Sequence, residues 1–521
     1  MNGSDLARLD LSSLLLPELI VAVGAMVVLL YGVLSPEGAV STRRAHLLAI
    51  AVGLLAITAV VTLAGQSTPL GAPGGPLASD GFRWASAVVI LIGVVGTLVI
   101  AMEYNEGAAL TAAEAPALVL FAASGMLLLV GARELMLIFL GIELMSLSIY
   151  VLTGLDRSRA RSAEAALKYF LHGAFSTGFL LYGMALLYGG TGTTNLHAMS
   201  AAIVDNDLSR SPLVLGGAAL LFVGFSFKLA AVPFHLWSPD VYEGAPTPYT
   251  AFMAIGVKTA AFASFARLLF VGLGPVFSSW HYAIWLVAAV TMVVGNVLAL
   301  TQKNVKRMLA FSSIAHAGYL LVAITSHTPS SISALVFYAL AYALATLGAF
   351  GVLSIVSGGI ERRTRLSDLA GLSRTRPALA TAMAVFMLSL LGFPVAGGMG
   401  FFAKFYVLRA AISAPAPQVK LAVVLVVASV ISAAYYLGVI ATMFMQPVAA
   451  EEGAPAPPVS ARMTGVLVGA AAILLLVFGV FPAPVARWAE VSTMPLSADA
   501  GVRGSSALQA SVLPNNQLEV P

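Results

Sequence analysis

The sequence predicts an all-α polytopic membrane protein with about fourteen transmembrane helices, and three observations lead to this fold class. Of its 521 residues, 59% are hydrophobic and 10% are charged, whereas a soluble domain has about 25% charged residues. The mean hydropathy is +0.94. The apolar residues also fall into runs of about 20, the length that crosses a hydrocarbon layer of about 30 Å.

Counting these runs in order gives fourteen predicted spans, with polar or irregular ends at 1–13 and 486–521. They lie at roughly 14–34, 46–65, 82–102, 115–131, 134–154, 164–189, 213–235, 249–272, 281–301, 305–325, 330–357, 378–412, 420–446 and 463–485. No basic segment precedes the first run, so we expect it to be a span and not a cleavable signal peptide.

Lysine and arginine residues predict the orientation, because cytoplasmic loops of membrane proteins are enriched in them. One alternate set of loops, which we call the basic face, carries fourteen of these residues, and the opposite face with the two termini carries seven. This asymmetry predicts that both termini lie outside. The basic residues lie in short loops, so they do not indicate a nucleic-acid surface.

The residue types present exclude several kinds of redox centre. The chain has no cysteine, which excludes thiolate-bound iron–sulfur clusters, CxxCH haem attachment and disulfides within it. Its seven histidines show no metal-ligand spacing such as HExxH. We therefore expect no cofactor and no metal in this chain.

Two spans contain helix breaks. The seventh includes Lys228 and Pro233, and the twelfth is interrupted between Gly392 and Gly400, around Pro394. Proline removes a helical hydrogen bond and clustered glycine weakens a helix. Discontinuous helices in corresponding places indicate inverted repeats of the transporter type. We predict four parts: helices 1–3 (1–114), two inverted five-helix repeats (115–272 and 281–446) and a last part with helix 14 (447–521).

Five ionisable residues lie in the middle of predicted spans: Glu143, Lys228, Lys258, His316 and Lys404. A charge at the bilayer centre costs at least about 2.5–3.5 kcal/mol, and such residues usually mark ion or proton pathways. Helical rise places all five near mid-depth, where they could form a row in the membrane plane. Glu143 is the deep carboxylate, and we expect its contact with Lys228 to control the charge of that lysine.

Several residues keep an alternative interpretation. Lys168 could add a further residue to the row, or its side chain could reach the membrane surface. His316 and Lys258 could instead be structural residues packed in the core. Arg267 and Arg409 are expected to reach the interface opposite the basic face. The segment containing Asp240 and Glu243 is interpreted as a rigid turn in preference to a proton-entry rim.

Several stretches together resemble the subunit N family of the proton-translocating NADH:quinone oxidoreductase, respiratory complex I. The Tyr242-Glu243-Gly244 variant, together with Lys404, is typical of this family within a wider antiporter-like superfamily. The similar stretches are Gly141–Leu147, Glu164–Phe170, Phe227–Pro248, Lys258–Ala260 and Gly392–Lys404.

The resemblance implies an antiporter-like, proton-translocating subunit of the membrane arm, driven by quinone reduction elsewhere in the complex. It implies that Glu143 and Lys228 match the family's glutamate–lysine pair. Lys258 then matches the connecting lysine of the family, and Lys404 matches its outlet-side lysine. Lys168 matches a further family lysine. NADH, FMN, iron–sulfur clusters and quinone are expected in partner subunits of a bacterial cytoplasmic membrane. Expected partners are other antiporter-like subunits, including one with a long lateral helix, and lipid.

Two other functions remain open. A subunit of a multisubunit cation/proton antiporter would share the breaks and the lysines. A structural scaffold would use the same charges only to hold helices together, and replacing Lys228 would then impair assembly and not pumping.

Overall fold

The computed structural model describes residues 14–35, 39–66, 75–108, 110, 114–359, 361, 363–394, 397–448 and 461–494. Within these ranges the chain is helical apart from turns and loops, and β-type pairing is limited to three isolated bridges. The predicted all-α class is therefore confirmed.

Every predicted span appears as a helix, and we number them α1 to α14. Thirteen of the described helices are long and apolar enough to cross a membrane, and the twelfth span consists of two half-length helices. The bounds are α1 Leu16–Leu34, α2 Ala39–Gln66, α3 Gly81–Gly107, α4 Glu114–Gly131, α5 Leu135–Thr153, α6 Ala160–Thr191, α7 Pro212–Leu229, α8 Thr247–Gly272, α9 Phe277–Ala299, α10 Val305–Ser326, α11 Pro329–Ser357, α12a Pro377–Leu391, α12b Met399–Ile412, α13 Val419–Met445 and α14 Arg462–Val480.

Several helix ends differ from the prediction by a few residues, with the largest shift at the start of α2, which begins at Ala39 and not at residue 46. Helix α7 ends at Leu229, six residues before the predicted end at 235. A helix at 483–494 extends into the tail that was predicted to be irregular from residue 486. The remainder of that tail, and most of the 447–461 loop, lie outside the described residues.

Both predicted helix breaks are present, and each begins at a residue with a left-handed backbone. Helix α7 stops where Ala230 has φ 55°, and α12a stops where Gly392 has φ 75°. After α7 the chain forms the short helix Trp237–Gly244 on the basic face before α8 begins. After α12a the next helix is α12b, which begins at Met399. In each case a lysine, Lys228 or Lys404, lies next to the break.

Small residues bring pairs of helices close together, as is common in membrane proteins. A Cβ atom on Gly125 of α4 would lie 2.9 Å from the carbonyl oxygen of Gly141 on α5. A Cβ on Gly183 of α6 would lie 2.9 Å from the carbonyl oxygen of Gly217 on α7. The same device joins α9 to α10 at Gly295. The first two helices of each predicted repeat, α4 with α5 and α9 with α10, are thus close pairs.

Helices α8 and α10 form the centre of the bundle. Every residue of α8 is buried, and in α10 only Arg307 is not fully buried. These two helices carry Lys258 and His316, so both side chains are held in the interior with little contact with surrounding lipid.

Arg267 is not exposed at the interface, which corrects the expectation for this residue: it extends toward the face opposite the basic face but is buried there. Its side chain is 1% exposed and donates two hydrogen bonds to Asp80, at 2.6 and 2.9 Å. Burial alone would raise the pKa of the Asp80 carboxyl, but the Arg267 guanidinium outweighs burial and lowers that pKa to about 2. Arg409, in contrast, is exposed, and its position at the interface remains a prediction. Arg267 therefore closes a buried ion pair between α8 and the start of α3.

Candidate functional site

The first functional cluster forms where α7 meets α5. Lys228 lies in the last turn of α7 and is 2% exposed. Its ammonium group donates to the hydroxyl of Ser146 at 2.8 Å and lies 3.4 Å from the hydroxyl of Tyr150. These two residues are one turn apart on α5, so they present their hydroxyls on the same face. The carbonyl end of a helix also favours a cation there.

Glu143 lies on α5 one turn before Ser146 but does not contact Lys228 directly. Its carboxylate instead accepts a hydrogen bond from the Thr177 hydroxyl of α6 at 2.7 Å. Glu143 is half-buried, and Leu144 and Leu147 beside it are exposed. The expected contact with Lys228 is therefore not formed in this structure, and the Glu143 carboxylate lies toward the lateral surface of the bundle.

The second cluster surrounds Lys258. A π-helical turn at Met253–Val257 immediately precedes this lysine in α8, and such turns are frequent at functional sites. The ammonium group donates to the carbonyl oxygen of Ser313 on α10. The Ser313 hydroxyl accepts a hydrogen bond from Tyr342 at 2.8 Å and lies 3.5 Å from the hydroxyl of Tyr242. Lys258 thus bonds the backbone of Ser313, the residue whose hydroxyl contacts tyrosines from two other parts of the fold.

His316 lies one turn beyond Ser313 on the same helix. One ring nitrogen lies 2.6 Å from the Tyr338 hydroxyl, and the other lies 3.2 Å from the Tyr436 hydroxyl. The ring also packs against Tyr342, with 5.0 Å between ring centroids. His316 and Lys258 therefore lie on either side of the Ser313–Tyr342 hydrogen bond, with ring packing and not a hydrogen bond between His316 and Tyr342.

Lys404 lies at the break between α12a and α12b. Its ammonium group donates to the carbonyl oxygen of Leu391, the last residue of α12a, at 2.8 Å, and to the Ser429 hydroxyl at 3.2 Å. It also lies 4.7 Å from the centroid of the Tyr319 ring. The lysine satisfies a carbonyl that the interrupted helix would otherwise leave unpaired.

Lys168 does not join these interior groups. Its side chain is 38% exposed and pairs with Asp240 and Glu164, each at 2.7 Å. Asp240 also accepts a hydrogen bond from Arg307 at 2.6 Å. Burial would raise the pKa of Asp240, but the hydrogen bonds from Lys168 and Arg307 lower it below its ordinary value. Lys168 thus belongs to a charged cluster at the basic face, and the contacts do not support the idea that it extends the row.

That cluster also changes the interpretation of the segment containing Asp240 and Glu243. Arg307 contacts both carboxylates, and Arg161 pairs with Glu243 at 3.2 Å. The segment is a short helix that links α6 to α10 through ion pairs, so it is more than the simple turn that the sequence favoured.

The sequence interpretation missed a buried ion pair at the basic face. Lys306 of α10 donates to Glu361 at 2.7 Å, and both side chains are almost fully buried. Glu361 also accepts from Tyr104 at 2.5 Å and from the Thr247 backbone at 2.7 Å. Burial would raise the pKa of the Glu361 carboxyl, but the Lys306 ammonium lowers it. The single local signal was a lone acidic residue directly before the Arg362-Arg363 pair.

The chain is similar to known proteins in sequence. A family model described as "NADH:quinone oxidoreductase/Mrp antiporter, TM" matches residues 132–432. A protein named NADH-quinone oxidoreductase subunit N, from Gemmatimonas aurantiaca, is 51% identical over 515 residues, which cover 96% of this chain and 97% of the relative.

The chain is also similar to solved structures. A chain of respiratory complex I from Thermus thermophilus with bound aureothin is 36% identical with a TM-score of 0.74, and the match covers 90% of this chain and 98% of that one. A chain of the Mrp complex from Dietzia sp. DQ12-45-1b has a TM-score of 0.79 at 22% identity, covering 95% and 99%. At that identity the second likeness concerns the fold alone.

Proposed function

Because the chain belongs to the NADH:quinone oxidoreductase/Mrp antiporter family and to its subunit N branch, we propose that it translocates protons in the membrane arm of a bacterial NADH:quinone oxidoreductase. One observation carries this proposal: Lys228, Lys258, His316 and Lys404 are all buried and all bonded to hydroxyl or carbonyl groups inside the bundle. Hydroxyl groups both donate and accept, so they can pass a proton between titratable side chains.

The separation of Glu143 from Lys228 supplies a switch. Two unit charges 4 Å apart attract by about 4 kcal/mol at an effective dielectric constant of about 20. If a conformational change brought Glu143 from Thr177 to Lys228, this attraction would stabilise the ammonium form of the lysine by an energy on the order of 4 kcal/mol. Movement back to Thr177 would release a proton from Lys228. The energy for this cycle would come from quinone reduction in other subunits, through a conformational coupling.

The interior contacts place the groups of a route from Lys258 to Lys404 close together. Lys258 and His316 lie on either side of the Ser313–Tyr342 hydrogen bond. Because Lys258 bonds the Ser313 carbonyl and His316 packs against the Tyr342 ring, transfer between them would need the Lys258 ammonium to turn toward these hydroxyls. Lys404 lies beside the second helix break. Transfer toward α12b would carry the proton to the face opposite the basic face. We propose that the basic face is cytoplasmic and that both termini lie outside.

The lateral surface around Glu143 supports a protein partner there. A half-buried carboxylate between exposed leucines is unfavourable against lipid tails. We propose that another antiporter-like subunit covers it, that a lateral helix of a partner runs along the bundle, and that lipid covers the remaining surface. The chain itself would hold no cofactor, with NADH, FMN, iron–sulfur clusters and quinone in the partner subunits.

The test is Lys228→Met in the assembled complex, with Lys420→Met as the control. Lys420 is exposed and lies at the opposite face, so its removal should leave activity unchanged. We expect Lys228→Met to assemble normally but to lose most quinone-coupled proton uptake in inside-out vesicles.

Three outcomes separate the alternatives. Unchanged uptake would refute the role of Lys228. Loss of assembled complex without an effect on the remaining turnover would favour the scaffold. Normal NADH oxidation with lost cation/proton exchange would favour the antiporter.

A further inference from the structure

An internal cavity lies between His316 and Lys404. Its volume is about 10 Å³, close to the ~10–15 Å³ that holds one water molecule. It lies among α10, α11, α12a and α12b, so both halves of the broken helix line it. The lining includes His316, Tyr338, Tyr342, Ser389, Gly400 and Lys404.

Ser389 supplies an unpartnered hydroxyl in this lining. The residue is 3% exposed, and its Oγ atom has no hydrogen-bond partner. A buried hydroxyl without a partner is unfavourable, and native structures usually satisfy such a group with an ordered water. Gly400 creates this arrangement, because a Cβ atom there would lie only 2.6 Å from the Ser389 hydroxyl oxygen. The hydroxyl is therefore held in the cavity by the contact between α12a and α12b.

No direct hydrogen bond joins His316 to Lys404. Both ring nitrogens of His316 are bonded to tyrosine hydroxyls. Two hydrogens of the Lys404 ammonium are taken by Leu391 and Ser429. Tyr338, the partner of His316 at 2.6 Å, also lines the cavity. A group inside this cavity would therefore connect the Tyr338–His316 pair to Lys404 by the shortest route.

We propose that Ser389 holds and orients a water molecule in the cavity, and that this water carries the proton from the Tyr338–His316 pair to Lys404. This inference rests on the proton-translocating function proposed above. The imidazolium gives a proton to Tyr338, whose own hydroxyl proton passes to the water. The water then gives a proton to the neutral amine of Lys404. Tyr338 and the water end unchanged, one positive charge moves from histidine to lysine, and no oxidation takes place.

Ser389 is a positioning residue in this step, and its test uses two substitutions at one site. Ser389→Ala removes the hydroxyl, whereas Ser389→Gly also removes the β-carbon and leaves space for a second water. Ser264→Ala is the matched control, because Ser264 is also buried on a membrane helix with an unpartnered hydroxyl but does not line the cavity. Lys404→Met tests the proposed function itself.

In the assembled complex, we expect Ser389→Ala to slow quinone-coupled proton uptake about tenfold, which corresponds to about 1.4 kcal/mol. Ser389→Gly should recover most of that rate, and Ser264→Ala should match the wild type. A high-resolution structure of the wild-type complex should contain one water in the cavity, and that of Ser389→Ala should not.

The outcomes are distinguishable. If Lys404→Met blocks uptake but Ser389→Ala does not slow it, the water relay is overturned and the proposed function stands. If Ser389→Gly is as slow as Ser389→Ala, the serine is structural and the relay is again overturned. If neither Lys404→Met nor Ser389→Ala affects uptake, the proposed function fails as well.

Discussion

Replacing Asp80 by asparagine should destabilise the membrane domain at the face opposite the basic face. Asp80 begins α3, where it accepts a hydrogen bond from the backbone of Arg83 at 2.8 Å, and it forms the two-point ion pair with Arg267. Asparagine can still cap the helix, because it is as good an N-cap as aspartate. The substitution therefore removes the charge and leaves Arg267 buried without its counterion.

Two estimates give the loss of stability expected from Asp80→Asn. Removing one partner of a buried ion pair typically costs about 3–5 kcal/mol, because the other charge stays buried. The pKa of Asp80, lowered from 3.8 to about 2, corresponds to about 2 kcal/mol at neutral pH. The first figure is larger because it includes the stranded arginine. Since the pKa of the folded state is lowered, this stabilisation is complete above about pH 4 and is lost as the pH falls toward 2.

The absence of cysteine from the chain allows a clean assay. A single Ala349→Cys reporter in the buried centre of α11 reacts with a maleimide only when the fold opens, and a gel shift of the tagged subunit in native membranes measures the rate. Where labelling follows the open population, Asp80→Asn should raise the rate at least about a hundredfold, since 1.4 kcal/mol is about tenfold. The control is Asp205→Asn, because Asp205 is exposed.

A double variant sharpens the result. Asp80→Asn with Arg267→Met leaves no unpaired charge, so it should recover much of the stability lost by either single variant. If Asp80→Asn labels no faster than Asp205→Asn, the ion pair contributes nothing measurable and the reasoning is refuted.

Two further predictions concern the helix break and the basic face. Gly400→Ala should prevent assembly, because its Cβ would lie 1.9 Å from the Ser389 carbonyl oxygen. The control is Gly469→Ala on α14, whose Cβ meets nothing within 4 Å. A native gel should show assembled complex for the control and none for Gly400→Ala. Glu361→Gln should destabilise the subunit by about 3–5 kcal/mol, because it leaves Lys306 unpaired. In the wild type, the lowered pKa of Glu361 means that this stabilisation is lost only as the pH falls below the ordinary carboxyl range. Thermal denaturation of the two proteins at several pH values measures the loss of stability and its pH dependence.

The membrane helices and their breaks were predictable because local composition determines them. A run of apolar residues of the right length forms a span wherever it lies, and the glycine cluster around Pro394 interrupts a helix whatever packs against it. The interior location of Lys228, Lys258 and Lys404 followed from the same reasoning, since each lies near the middle of a predicted span. The four-part division of the chain remains a prediction.

Partners across the fold were not predictable. Arg267 lies five residues from the end of its predicted span, which is compatible with an interfacial position, and its partner Asp80 is 187 residues away in sequence. Glu361 lies in a loop, where a charge has no helix depth from which to infer burial. The sequence supported two positions for Lys168 equally, one in the interior row and one at the membrane surface. Periodicity shows which residues share a helix face, but not which neighbour covers that face.

The position of Lys404 has a consequence for how this residue can work. An ammonium group has three hydrogens, and the carbonyl of Leu391 and the hydroxyl of Ser429 use two of them. A neutral amine still has two. Lys404 can therefore lose a proton while keeping both bonds that fix it at the helix break. Protonation and deprotonation of Lys404 would leave the backbone undisturbed. The side chain would therefore transfer protons without changing its position.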